Sequence, residues 1–173
     1  IGKSLRVKEY AKKLEILYLS HQEVGDLIGI PTISNNTTMW TKPSWLTRME
    51  EANKKGQGCI LFLDELNRAQ RDVRQIALQI TLEKRLHDHI LPSIDGIETL
   101  VIAAINPEDD QKIDYQVDEL DVALKDRFLY YEMKLDVKSW LDWARENNII
   151  DEITSFISEY PDRLFYFTQE STY

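Results

Sequence analysis

The chain has a single cysteine, Cys59, set inside an apolar run. No internal disulfide can form, and nothing in the cysteine usage points to an oxidising compartment. Basic charge is scarce, because 21 Lys and Arg stand against 30 Asp and Glu for a formal net charge of −9. Such a surface repels phosphate backbones at long range and offers little counterion release, so nucleic acid is a disfavoured partner. No apolar stretch approaches the ~20 residues that span a bilayer, and no leader pattern of charged then apolar residues is present. Internal repeats and low-complexity tracts are absent as well. The expectation is a cytoplasmic protein with no membrane partner. At 173 residues it has room for one domain with a small appendage, not for two domains of full size.

Another absence is local. Gly2, Lys3 and Ser4 match the closing half of G-x-x-x-x-G-K-[ST], a loop whose backbone N–H groups cradle phosphates, but the glycine expected five residues upstream is not in the chain. A piece of a longer chain is expected. In such a loop Lys3 reaches the β- and γ-phosphates as a point charge, Ser4 offers its hydroxyl to Mg²⁺, and the helix N-terminus adds its dipole. On these three residues alone an ordinary helix start is the stronger reading.

What is present alternates between strand and helix. Val7, Tyr10, Ala11 and Leu14 carry helical spacing from about Ser4, and Ile16–Leu19 reads as a short buried strand. His21–Pro43, with Gly25, Gly29, Pro31 and a polar TISNNTT run, reads as loop with one brief helix. Trp45, Met49 and Ala52 suggest a helix, and CILFLDE at 59–65 a strand covered on both faces. Val73, Ile76, Ala77 and Ile80 predict the next helix; RLHDHILPSIDG has room for a small hairpin; TLVIAAI at 99–105 predicts a second fully buried strand. A short helix near 118–126 leads to FLYYEMKL at 128–135, a third strand, and only helical repeats follow from Asp136. This order predicts a parallel sheet, which binds ligands at the carboxyl ends of its strands.

Asp64 and Glu65 stand at one such end, where a carboxylate can hold Mg²⁺ through water and its neighbour can orient an attacking water. A strand simply entering a loop is the plainer alternative. Asn106, ending the next buried strand, is a neutral donor able to sit beside a γ-phosphate, or the first residue of an Asn-Pro turn, or both.

In that order after GKS, ILFLDELNRA, TLVIAAINPEDD and ELDVALKDRF resemble the AAA+ ATPases of the MoxR and dynein-related (midasin-like) type over about residues 1–135. The resemblance implies an α/β P-loop NTPase core, a parallel sheet flanked by helices, at 1–135 and a partial helical lid at 136–173. It implies Gly2, Lys3 and Ser4 as the end of Walker A, Asp64 and Glu65 as Walker B, and Asn106 as sensor 1. Arg127 resembles an arginine finger directed at a neighbouring subunit, the plain alternative being a surface Asp126–Arg127 pair. Arg68 also matches, with no assigned role. ATP and Mg²⁺ are the implied cofactors, and a ring, a hexamer, that remodels a protein client is the implied activity. Clients of MoxR-like proteins often bear a von Willebrand-type domain. The chain departs from the family in lacking the first glycines and the strand before them, and Arg163 does not match the sensor 2 arginine of related lids.

Three other features read as structural. His87, Asp88 and His89 lack a third ligand for zinc; Glu108, Asp109 and Asp110 form a solvated loop; Trp40 and Trp45 pack under their loop, although Trp40 could grip a polypeptide in a pore. Against the motor stand a nucleotide-dependent scaffold or switch with little turnover, and a nucleic-acid machine such as a helicase loader or restriction-type NTPase.

Overall fold

The computed structural model describes residues 7, 13–106, 122–134 and 136–165. Gly2, Lys3 and Ser4, most of the helix expected around them, and Glu108, Asp109 and Asp110 lie outside the described residues. Those described fall into two compact units, one of Val7, 13–106 and 122–129 and one of 130–134 and 136–165.

In the first unit β1 (Lys13–Tyr18) enters a 3-10 turn at Leu19–His21, and α1 (Val24–Ile28) leads into a hairpin of β2 (Pro31–Ser34) and β3 (Thr37–Trp40). Then come α2 (Ser44–Lys54), β4 (Cys59–Asp64), a 3-10 turn at Leu66–Arg68 and α3 (Arg71–Glu83). Two small hairpins follow, β5 (Arg85–Leu86) with β6 (His89–Ile90) and β7 (Ser93–Ile94) with β8 (Ile97–Glu98), before β9 (Leu100–Ala103) and α4 (Val122–Lys125).

The sheet order is β1-β4-β9, parallel throughout, with Leu17 opposite Leu63 and Leu63 opposite Ala103. Successive strand residues face opposite sides, so an unbroken apolar run suits a strand covered on both. β4 is that strand, and Leu61, Phe62 and Leu63 are buried. The helices bring one apolar face each: Trp45, Leu46, Met49 and Ala52 from α2, and Val73, Ala77 and Ile80, spaced i, i+4, i+7, from α3. They join Leu17, Leu61, Leu63 and Leu66 in one core cluster. Each such Leu, Ile or Met side chain stabilises the fold by about 1.5–3 kcal/mol relative to exposure.

Several sequence expectations change here. β1 begins at Lys13, ahead of the apolar run. The 21–43 segment holds its brief helix, but it also forms the β2–β3 hairpin, whose two-residue turn at Asn35 and Asn36 has φ of 50° and 62°. Asparagine tolerates this left-handed conformation, which matches the strand twist of a tight hairpin. Gly29 closes the hairpin's base at φ +83°, and a Cβ there would lie 1.8 Å from the Thr41 carbonyl oxygen. The expected single hairpin at 85–96 is two. β9 is not fully buried: Leu100 is 55% exposed and Val101 to Ala103 are half-buried, because β9 is an edge strand of the described sheet. FLYYEMKL forms no strand over 128–134, where Leu129 and Tyr131 are 80% and 83% exposed. Apolar content alone does not make a strand, since its backbone groups need a partner ladder, and no described strand pairs with this segment.

In the second unit α5 (Val137–Glu146) packs against α6 (Asp151–Glu159), with Ala144, Thr154 and Ile157 buried, and a 3-10 turn at Pro161–Phe165 follows. Asp136 caps α5, accepting hydrogen bonds from the Ser139 N–H at 2.8 Å and hydroxyl at 2.5 Å. Among the described residues no helix is long and apolar enough to cross a membrane.

Candidate active site

The parallel register brings the ends of β4 and β9 together. The β4–β9 exchange continues past the last registered pair, because the Ala104 N–H donates to the Leu63 carbonyl at 2.9 Å and the Leu66 N–H donates to the Ala104 carbonyl at 3.1 Å. Asp64, Glu65 and Asn106 thereby stand on adjoining segments at the carboxyl edge, each half-buried.

Glu65 takes the left-handed conformation, φ 57° and ψ 37°, and so turns the chain out of β4 into the 3-10 turn. A non-glycine residue held there carries local strain of about 1–3 kcal/mol, which concentrates at functional sites. Its N–H donates to Asp64 Oδ1 at 3.0 Å. The Glu65 carboxylate is held on both oxygens: the Ser20 hydroxyl donates to Oε2, and Arg68 Nη1 donates to Oε1 at 3.3 Å. A carboxylate has about four lone-pair sites, so two donors leave room for a water.

Asn67 is fully buried, and its side chain makes a reciprocal pair with the Asn106 backbone: Nδ2 donates to the carbonyl at 2.8 Å and Oδ1 accepts from the N–H at 3.2 Å. Sequence reasoning missed Ser20 and Asn67. Ser20 follows β1, the strand beside β4, so its place was readable once that pairing was known. Asn67 sits within the quoted ILFLDELNRA motif, but its partner lies 39 positions away.

Arg127 is exposed just after α4, and Gly2, Lys3 and Ser4 are outside the described residues. His87 is a turn residue whose ring stacks on Trp40 at 4.2 Å between centroids, and His89 Nε2 lies 3.2 Å from the Trp40 carbonyl. Trp45 is buried and donates from Nε1 to the Leu27 carbonyl at 3.1 Å, so both tryptophans pack.

Mg²⁺ is commonly held by one or two carboxylates together with substrate phosphates, rather than by a cage of protein ligands. The edge fits that pattern: Asp64 and Glu65 supply hard oxygen donors, and no larger cluster of His, Cys, Asp and Glu suited to a metal occurs among the described residues.

A crystal structure of a candidate ATPase from Cytophaga hutchinsonii ATCC 33406 is similar to this chain, with a TM-score of 0.57 and 21% identity over 87% of this chain. The chain spans 44% of that structure's length, and at this identity the likeness shows the fold. A search of curated proteins found no match. The family described as "AAA domain (dynein-related subfamily)" matches residues 1–128. With a parallel sheet flanked by helices, paired acids ending its middle strand and a family match over most of its length, the chain belongs to the dynein-related subfamily of AAA domains.

Proposed function

We propose that the chain binds ATP with Mg²⁺ and hydrolyses it at the carboxyl edge of β4 and β9. The observation that carries this reading is the convergence there of Asp64, Glu65 and Asn106, tied together by the exchange between the two strand ends. Bound Mg²⁺ would neutralise phosphate charge as it develops. Asp64 is the described residue that would hold it, with Ser4 contributing a hydroxyl, while Gly2 and Lys3 would bind the phosphates. Glu65 would take a proton from the attacking water at its carboxylate, and Asn106 would align that water with its side-chain amide. Arg127 is exposed, as a residue acting on a neighbouring subunit's nucleotide must be. That role makes the assembly a ring, and we read it as a hexamer that remodels a protein client, with residues 136–173 as the start of its helical lid. A client bearing a von Willebrand-type domain is the one the family resemblance suggests.

Glu65→Gln tests the reading. It keeps the shape and removes the base, so ATP binding should persist while turnover falls by at least about 100-fold. ATP-bound Glu65→Gln should also sediment as the ring. One observation favours a second reading, a nucleotide-dependent scaffold with little turnover: both Glu65 oxygens already accept hydrogen bonds. A Glu65→Gln protein indistinguishable from the wild type in hydrolysis and assembly would select the scaffold.

A further inference from the structure

We propose that Asn67 is a positioning residue for this hydrolysis, an inference that rests on the function just proposed. Its side chain acts as a clamp that keeps Asn106 in register with the Glu65 turn.

Asn67 lies two positions beyond Glu65, at the point where the backbones of the two strand ends no longer bond to each other. The β4–β9 ladder ends at Leu63 and Ala103, and among the described residues the backbone bonds between the two segments run on to Leu66 and Ala104. From there the asparagine amide substitutes for a peptide group, donating to the Asn106 carbonyl at 2.8 Å and accepting from its N–H at 3.2 Å. Two antiparallel hydrogen bonds fix orientation as well as distance, which a single bond does not. Asn67 is 0% exposed, so its own ends of the two bonds are shielded from water. Few residues could replace it. Leucine would fill the volume and break both bonds to Asn106; aspartate would keep the acceptor, lose the amide donor and bury a charge; glutamine would be a methylene too long. The consequence is mechanical. Glu65 and the Asn106 backbone belong to one stitched segment, so the proposed base and the proposed water-aligning amide are presented together, and a misplacement of about 1 Å in such a pair costs about 100-fold in rate.

The test is a double-mutant cycle in the intact protein, with kcat and KM for ATP hydrolysis in Mg²⁺ measured for the wild type, Asn67→Leu, Asn106→Ala and the double variant. Affinity for a fluorescent ATP analogue and thermal unfolding are recorded alongside. Asn67→Leu should lower kcat about 100-fold while analogue affinity stays unchanged. In the Asn106→Ala background it should cause no further loss, because the group it positions has gone. Should Asn67→Leu fail to fold, Asn67→Ser, which removes the amide without burying a charge, runs the same cycle. Losses that multiply, or a variant with wild-type kcat, overturn the inference while leaving ATP hydrolysis intact. A wild type that does not hydrolyse ATP overturns the functional reading and this inference with it.

Discussion

Glu15 is a carboxylate in the middle of β1 with only 6% of its surface exposed. Arg48 of α2 makes this tolerable: Nε donates to both carboxylate oxygens, at 3.1 and 3.3 Å, and Nη2 donates to Oε1 as well. Lys13 Nζ lies 3.8 Å from Oε2. Hydrogen bonding to Glu15 holds the Arg48 pKa above its ordinary value, against the opposing effect of burial. Arg48→Leu should therefore lower stability by about 1–3 kcal/mol, read from the midpoint of urea unfolding, because a buried charged acceptor loses its main donor. Adding Glu15→Gln should restore part of the loss. An unshifted midpoint in Arg48→Leu would show that the pair holds nothing. The same two charges explain why the apolar pattern starts the strand at Ile16: nothing local reveals that Lys13 and Glu15 belong to it, since the partner of Glu15 is 33 positions away.

Among the elements, α5 carries a pH dependence that can be signed. Hydrogen bonds from the Ser139 hydroxyl and then its N–H hold the Asp136 carboxyl below its ordinary value. A depressed carboxyl pKa means stability that is present above the ordinary carboxylate value and lost as pH falls through the folded value. Thermal unfolding should show this contribution disappearing only in the acid range. Asp136→Asn, which keeps a capping oxygen without a titrating charge, should remove that part of the dependence. A variant that loses stability in parallel with the wild type down the acid range would contradict the assignment. Local chemistry also decided α2 and α3, whose apolar spacing is visible in the chain. It did not decide 128–134, equally apolar, because strand formation requires a neighbour that spacing cannot supply. The Asn35-Asn36 turn was legible in principle, being a residue pair suited to positive φ, but the flanking strands are exposed at nearly every position and leave no alternation to read.

For the whole molecule, the net charge of −9 makes a direct statement about partners. Filter binding of single- and double-stranded DNA at two salt concentrations should show no retention at either. Retention falling steeply with salt would move the chain toward the nucleic-acid machines of its fold class. The sequence alone determined the alternation of β1, α2, β4, α3 and β9, the buried middle strand, and the acids Asp64 and Glu65 at its end, because these depend on residue type and on spacing within a few turns of chain. Only the tertiary structure decided that β9 is an edge of the described sheet, that Ser20 and Arg68 hold the Glu65 carboxylate, and that the Asn67 side chain pairs with the Asn106 backbone. Except for Arg68 and Glu65, three positions apart, those contacts join residues far apart in the chain. Their geometry is set by which strands lie side by side, and strand neighbourhood is a property of the packed core that no short window of residues contains.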